Sequence, residues 1–277
     1  MRKIAHIINP VMVGKNSDLF FAQPITFETM KIARQFARDR VEVELLSTQY
    51  PEDRAIVPDG FKIARELERS VQDVGRFELK RKLPLLRDIM DRLYEATAAE
   101  YLIYTNVDIA LMPHFYLTVN ALIDAGHDAL VINRRTISNQ YQSPAEIPLM
   151  YAETGSKHEG HDCFVFKREH YPRYALGEVC IGIPYVGRVL IWNLFFYAQN
   201  FCELKKSHLT FHVGFGNERT LQDGVYADYR AHNKGEAAKV QAKIESEFAP
   251  GKNCDVFSTY PLEFELISPN SKSKNQS

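Results

Sequence analysis

Residues 101–116 read YLIYTNVDIALMPHFY, and the first half of this stretch decides the fold class. Tyr101 to Thr105 form an apolar run without a glycine, which is typical of a buried strand. Asn106 and Asp108 follow it two positions apart and therefore point to the same side. In open α/β sheets, ligands collect beyond the carboxyl ends of strands, so this pattern predicts a ligand site there.

The beginning of the chain alternates strands and helices. A short apolar run over residues 2–9 predicts a first strand, and VEVELLS from Val41 predicts a second. Between them, Thr26 is expected to cap the helix TFETMKIARQFARD. Strand, helix and strand within about 45 residues form the repeat that builds a parallel sheet.

The same patterns predict further elements along the chain. Helices are expected at 61–74, 83–99, 114–126, 187–200 and 231–248, and strands at 128–137, 162–168 and 209–213. The predicted fold is therefore α/β, with a mainly parallel central sheet flanked by helices. We expect a single domain over residues 1–268 and a disordered polar tail at 269–277.

Composition narrows the function classes. The 34 Lys and Arg residues nearly balance the 35 Asp and Glu residues, so no global field would hold nucleic acid or an anionic membrane. His6 and Asn9 interrupt the apolar run that a signal peptide needs. No apolar run reaches the roughly 20 residues of a transmembrane helix. We therefore expect a cytoplasmic protein without a nucleic-acid partner.

Asn106 and Asp108 have two chemical interpretations. Hard oxygen donors spaced in this way suit Mg²⁺ or Mn²⁺ that also holds a diphosphate. Both residue types also form side-chain turns after strands, and Asp108 would then cap the segment that follows. Taken alone, the triplet Asn106-Val107-Asp108 favours the turn.

The wider sequence resembles the nucleotide-diphospho-sugar glycosyltransferases of the GT-A fold. It shares with them the order of helix, strand, D-x-D-like triplet, proline and helix. Segment 160–168, GHDCFVFKR, is similar to the G-x-D-x-F-x-F strand of a group of small glycosyltransferase-like proteins in that class. Segments 181–190 and 209–216 resemble, respectively, that group's aromatic-Asp segment and its strand with a carboxy-terminal histidine. The resemblance covers about residues 2–215.

This resemblance implies a GT-A-like fold, related to the Rossmann fold, and a metal-dependent glycosyltransferase. The enzyme would move a sugar from a UDP- or GDP-sugar donor to an unknown acceptor, with Mn²⁺ or Mg²⁺. Asp108 and His212 would bind the ion, and Asn106 would contact the ribose or complete the coordination. For His212, a core histidine bonded to a carbonyl is the alternative. The resemblance places the base of the donor around Asn9, Pro10 and Thr26, and makes Arg87 and Asp88 candidates to face the donor. The amides of Asn9 and Gln23 could read a uracil edge or could equally be polar loop residues.

The catalytic carboxylate is the point at which the sequence departs from that group. A transfer that inverts the sugar carbon needs a carboxylate to take the proton of the acceptor hydroxyl. The group's aromatic-Asp pair aligns here with Val186-Gly187. Asp162 and Glu178 are the nearest substitutes, and Asp162 is the better candidate. Each also has a structural interpretation. Asp162 would hold its loop by accepting backbone N–H bonds, and Glu178 would be an exposed turn residue.

Other functions remain open at the level of sequence. The cluster HEGHD at 158–162 lacks the helical H-x-x-x-H spacing, so we expect an acceptor-side loop, lined also by Arg134 and Arg135, and no separate metal centre. A metal-dependent hydrolase would use Asp108, Asp162 and His212 with water as acceptor. A non-catalytic nucleotide-sugar-binding module would bind the donor without turning it over.

Overall fold

The computed structural model describes residues 1–214, 226–248 and 255–262, which form one mixed sheet flanked by helices. These residues contribute nine strands: β1 (Arg2–Ile8), β2 (Val41–Ser47), β3 (Lys62–Ile63), β4 (Tyr101–Thr105), β5 (Ala110–Leu111), β6 (Ala129–Ile137), β7 (Ser156–Lys167), β8 (Phe201–Leu204) and β9 (Thr210–Val213). The helices of the same residues are α1 (Leu19–Ala37), α2 (Leu86–Ala96), α3 (Phe115–Asp124), α4 (Ile147–Ala152), α5 (Val186–Tyr197), α6 (Ala227–Phe248) and α7 (Asp255–Thr259).

The strands follow the order β3-β2-β1-β4-β7-β6-β9-β5, and β8 lies beside β6. Five of the eight strand pairings are parallel. The prediction of an α/β fold with a mainly parallel central sheet flanked by helices is therefore confirmed. Strand β7 enters antiparallel between β4 and β6. As a result β4 and β6 end at the edge from which β7 starts.

Strand β4 lies at the centre of the packing. All five of its residues are buried, as the apolar run predicted. Leu102 and Tyr104 belong to the core formed with α2, α5 and α6, whereas Tyr101 and Ile103 belong to the core formed with α1 and α3. Each fully buried large apolar side chain contributes about 1.5–3 kcal/mol. The strand before the triplet is thus fixed from both faces.

His6 fixes the end of this strand. Its Nδ1 and Nε2 lie 2.9 Å from the Tyr116 hydroxyl and from Oγ1 of Thr105, the residue that precedes Asn106. His6 is fully buried, and burial lowers its pKa to about 3. The ring is therefore neutral near pH 7, with both nitrogens used for structure.

Two predicted features differ in the structure near the first helix. Helix α1 begins at Leu19, so Thr26 is not a helix cap and is buried inside the helix. The predicted start of this helix is correspondingly too late, because Pro24 also lies within α1. Burial of Ala22, Gln23 and Ile25 against the protein selects a helix despite the proline.

The helix predicted at 61–74 is also wrong. This segment holds β3 and a short 3-10 turn, Val71–Asp73. Its backbone forms hydrogen bonds to β2 and to the residues just after it, for example from the Leu67 N–H to the Gln49 carbonyl at 2.9 Å. These bonds satisfy the backbone polar groups of the segment in an extended conformation.

Further along, residues 158–162 lie in β7 and not in a loop. The helices predicted at 83–99, 114–126, 187–200 and 231–248 and the three later strands are confirmed with shifted ends. The predicted tail at 269–277 lies outside the described residues. Within those described, no helix has the length and apolar character needed to cross a bilayer.

Replacing His6 by Gln is expected to make the protein less sensitive to acid. The unfolded chain takes up a proton on His6 near pH 6.5, whereas the folded chain does so only near pH 3. The contribution of His6 to the free energy of unfolding is therefore complete above pH 6.5 and is lost as the pH falls towards 3. Between pH 7 and pH 5 this loss is about 2 kcal/mol.

Urea unfolding of both proteins at pH 7 and pH 5 measures this difference. The wild-type protein should lose more stability than His6→Gln over that interval. Equal losses in the two proteins would contradict the assignment of a buried neutral imidazole.

Candidate functional site

Four neighbouring strands bring polar side chains to one edge of the sheet. In the order β4, β7, β6 and β9 they supply Asn106 and Asp108, then Asp162, Arg134 and His212. We call these five residues the edge cluster. Strands β4, β6 and β9 end at this edge and β7 starts from it, so their termini necessarily lie close together.

The triplet after β4 forms a turn that carries Asp108 towards β9. The Ile109 N–H donates to the Asn106 carbonyl at 3.2 Å, and β5 then pairs antiparallel with β9. Oδ2 of Asp108 lies 3.2 Å from Nε2 of His212. The turn that was one interpretation of the triplet is therefore present, and Asp108 also contacts His212.

The second ring nitrogen of His212 fixes its tautomer. Nδ1 lies 2.8 Å from the Gly214 carbonyl, which can only accept a hydrogen bond. Gly214 has a left-handed φ of 78°, and its N–H donates to the Ile137 carbonyl at 3.0 Å. Nδ1 therefore carries the proton, and in the neutral ring Nε2 keeps a lone pair towards Asp108.

Asp108 and His212 shift each other's pKa in opposite directions. Burial lowers the pKa of His212, but the hydrogen bond to Asp108 and its charge raise it more, so the net pKa lies above the ordinary value. Burial raises the pKa of Asp108, but the hydrogen bond and charge of His212, with the charge of Arg134, bring the net pKa below the ordinary value. Each member of the pair thus favours the charged form of the other.

A β-bulge directs Asp162 into the edge cluster. From Ile132 to Asn133 the register advances one residue on β6 but two on β7, from Cys163 to His161, so Asp162 has no partner on β6. Its Oδ1 lies 3.4 Å from Nδ2 of Asn106, and its Oδ2 lies 3.1 Å from Nη1 of Arg134. The side chains of Arg134 and Asp162 are only 11% and 13% exposed, so this ion pair is largely removed from solvent.

Tyr104 orients Asn106. Its hydroxyl donates to Oδ1 of Asn106 at 3.0 Å, which leaves the amide nitrogen to face Asp162. Burial raises the pKa of Tyr104, so it is a neutral donor. Sequence reasoning missed Tyr104, although its position two residues before Asn106 places both on one side of the strand.

The ligand atoms that the edge cluster offers fit a divalent ion that a substrate also binds. Asp108 and His212 offer a carboxylate and an imidazole, and within the described ranges Oδ1 of Asp108 is buried without a hydrogen-bond partner. In the described parts of the chain, no group of three or more His, Cys, Asp or Glu side chains is placed to hold a metal. Mn²⁺ and Mg²⁺ take about six ligands, so diphosphate oxygens and waters would complete the shell.

The residues predicted to lie around the nucleotide base make contacts within the protein. Asn9 donates to a backbone carbonyl at the end of β2 at 2.5 Å. The amide of Gln23 accepts from the N–H of Val11 and donates to its carbonyl, both at 2.9 Å. Pro10 and Thr26 are buried. The structure therefore ties the amide of Gln23 into the loop after β1, where we had expected it to face a ligand.

Arg87, Asp88 and Glu178 form a separate ion-pair group with Arg69. Arg69 holds Asp88 through two nitrogens at 2.7–3.1 Å and lies 3.2 Å from Glu178. Arg87 lies 3.9 Å from Glu178 and donates to the Gly177 carbonyl at 3.2 Å. The ion pairs of the Glu178 carboxylate are thus with this group and not with the edge cluster. No sequence signal marked Arg69, which falls in the segment predicted as a helix.

Comparisons with known proteins give structural neighbours only. No protein-family model and no curated protein matches the sequence. The structure is similar to residues 1–349 of Staphylococcus aureus TarS in complex with UDP-GlcNAc, with 12% identity, 93% of this chain and 75% of that chain covered, and a TM-score of 0.45. It is also similar to glucosyl-3-phosphoglycerate synthase from Mycobacterium tuberculosis in complex with Mn²⁺, UDP-glucose and phosphoglyceric acid, with 15% identity, 91% and 82% coverage and a TM-score of 0.43.

A likeness of this size assigns no activity, so we base the function on the residues of this chain.

The titration of His212 tests the geometry of the site without any ligand. In the wild-type protein the imidazole should titrate above its ordinary value, because Asp108 stabilises its charged form. In Asp108→Asn the partner charge is lost while burial remains, so the midpoint should fall below the ordinary value. Nitrogen-detected NMR of the histidine rings measures both midpoints and should find the proton of the neutral ring on Nδ1. An unchanged midpoint in the variant would contradict the contact between these two residues.

Proposed function

We propose that the chain is a glycosyltransferase that uses a nucleotide-diphospho-sugar donor and a divalent ion, Mn²⁺ or Mg²⁺. The observation that supports this most strongly is the 3.2 Å approach of Asp108 and His212 at the carboxyl edge of the sheet. These are the two residues that the resemblance to GT-A glycosyltransferases names as the metal pair. They are 104 positions apart in the sequence, so no local turn requires them to meet.

In this proposal Asp108 and His212 hold the ion through Oδ1 or Oδ2 and through Nε2. The bound ion would neutralise charge on the departing diphosphate. Binding requires Nε2 of His212 to lose its proton, while the Gly214 carbonyl keeps the other nitrogen protonated and the ring in place. Asn106, oriented by Tyr104, then faces the ribose or a ligand of the ion.

Asp162 is the carboxylate that we propose faces the acceptor hydroxyl. Gly187, where the resembling group has its acid, packs against the strand next to Asp162. A Cβ on Gly187 would lie 3.3 Å from the His161 carbonyl, which leaves little room for a carboxylate side chain. Asp162 follows His161 directly and reaches the same region from the bulge of β7. It can accept a proton or a hydrogen bond there, with Arg134 compensating its charge.

A second candidate is a binding module that holds the nucleotide sugar without turnover. The observation that favours it is the engagement of Asp162 by both Arg134 and Asn106, together with the missing carboxylate at 186–187. Each oxygen of Asp162 thus faces a partner within the protein before any acceptor binds.

Replacing Asp108 by Ala should remove metal-dependent nucleotide binding. Calorimetric titration with UDP and with GDP, each with and without Mn²⁺, measures this directly. We expect binding of at least one nucleotide to require Mn²⁺, and we expect Asp108→Ala to weaken it by at least about 10- to 100-fold. Asp39→Ala is the matched control, because Asp39 is 87% exposed and should leave the affinity unchanged.

The same titration can reject the proposal. Metal-independent affinity that is equal in Asp108→Ala and the wild-type protein would exclude this site. If binding is metal-dependent, incubation with UDP- and GDP-sugars separates the alternatives. Transfer to an added acceptor indicates a transferase, free sugar indicates a hydrolase, and binding without nucleotide release indicates the binding module.

A further inference from the structure

The two neighbouring arginines of β6 have different environments. Nε and Nη2 of Arg135 donate to the backbone carbonyls of Thr154 and Gly155, so Arg135 ties the strand to the chain beside it. Arg134 instead places its guanidinium in the edge cluster, between Asp162 and the Asp108–His212 pair. Its charge acts on both members of that pair.

Arg134 uses few of its hydrogen-bond donors. A guanidinium has five N–H donors and no acceptor. Nη1 faces Oδ2 of Asp162 at 3.1 Å. Among the residues that the structure describes, Nε is buried without a hydrogen-bond partner, and Nη2 lies 3.3 Å from Nε2 of His158. These two nitrogens form one side of the guanidinium fork, the side turned away from Asp162.

The contact with His158 engages at most one N–H of Nη2, because this nitrogen carries two N–H groups. The N–H of Nε has no hydrogen-bond partner within residues 1–214, 226–248 and 255–262. The fork formed by Nε and Nη2 of Arg134 therefore keeps donors available beside the two carboxylates of the edge cluster.

We infer that Arg134 binds an anionic oxygen of a substrate, either a phosphate or a carboxylate oxygen. The planar fork matches two oxygens of such a group, and a largely buried guanidinium binds them more strongly than an exposed one. The anion belongs either to the diphosphate of the donor or to an acidic group of the acceptor. That the anion can belong to a nucleotide rests on the proposed function, whereas the anion site itself is argued from the contacts of Arg134.

Three titrations of the full chain test this inference. The probes are UDP with Mn²⁺, UMP with Mn²⁺, and inorganic phosphate added to protein with and without saturating UDP and Mn²⁺. The variants are Arg134→Gln, which removes the charge, and Arg134→Lys, which keeps a cation beside Asp162 but lacks the fork. Arg38→Gln is the matched control, because Arg38 is exposed at the end of α1. Thermal unfolding confirms that each variant is folded.

The pattern of losses identifies the source of the anion. If Arg134 holds the donor diphosphate, Arg134→Gln should bind UDP about 10- to 100-fold more weakly and bind UMP nearly unchanged. If Arg134 holds an acceptor anion, UDP affinity should be unchanged and phosphate binding should weaken by a similar factor. In either case Arg134→Lys should recover only part of the loss and Arg38→Gln should show none.

The inference and the proposed function fail in different ways. Absence of metal-dependent nucleotide binding in the wild-type protein overturns the proposed function, while loss of phosphate binding in Arg134→Gln would still support the anion site. Equal affinities of folded Arg134→Gln and wild-type protein for UDP and for phosphate overturn the inference. So does the absence of both UDP and phosphate binding by the wild-type protein.

Discussion

The contact between Asp108 and His212 is the interaction on which the candidate site depends, because it joins two segments 104 residues apart at one sheet edge. Three features support it. The turn after β4 and the short pairing of β5 with β9 bring the backbones together. The left-handed Gly214 places a carbonyl against the second nitrogen of His212. Burial strengthens the attraction between the two charges, since little solvent screens them.

The arrangement around this contact balances charge. Asp108 faces His212 and Asp162 faces Arg134, so each carboxylate has one partner that can carry positive charge. A divalent ion would replace the proton of His212, and an anion beside Arg134 would compensate the positive charge that the ion brings. Metal and anion should therefore favour each other's binding, which is the behaviour expected of a cleft for a metal diphosphate. The amides of Asn9 and Gln23 bond to backbone groups beside the first strand.

Local patterns predicted the strand Tyr101–Thr105 and the polar turn after it, because a buried strand and a side-chain turn are encoded by adjacent residues. The start of α1 and the extended segment at 61–74 were missed, since burial and pairing with β2 decide them. The bulge that frees Asp162 has no sequence signature. The ion pair of Arg69 and Glu178 joins residues that are far apart in the sequence, so no local pattern predicts it. The Asp108–His212 pair was predicted from the resemblance and not from periodicity.

Pulsed electron paramagnetic resonance of Mn²⁺ bound together with UDP tests the central claim most directly, because a coordinated imidazole gives a characteristic ¹⁴N coupling. We predict this coupling in the wild-type protein and its loss in His212→Gln. It should persist in His232→Gln, whose ring contacts the Glu178 carbonyl and lies outside the edge cluster. A wild-type complex without nitrogen coupling, or a coupling that survives in His212→Gln, would contradict a metal site built on Asp108 and His212.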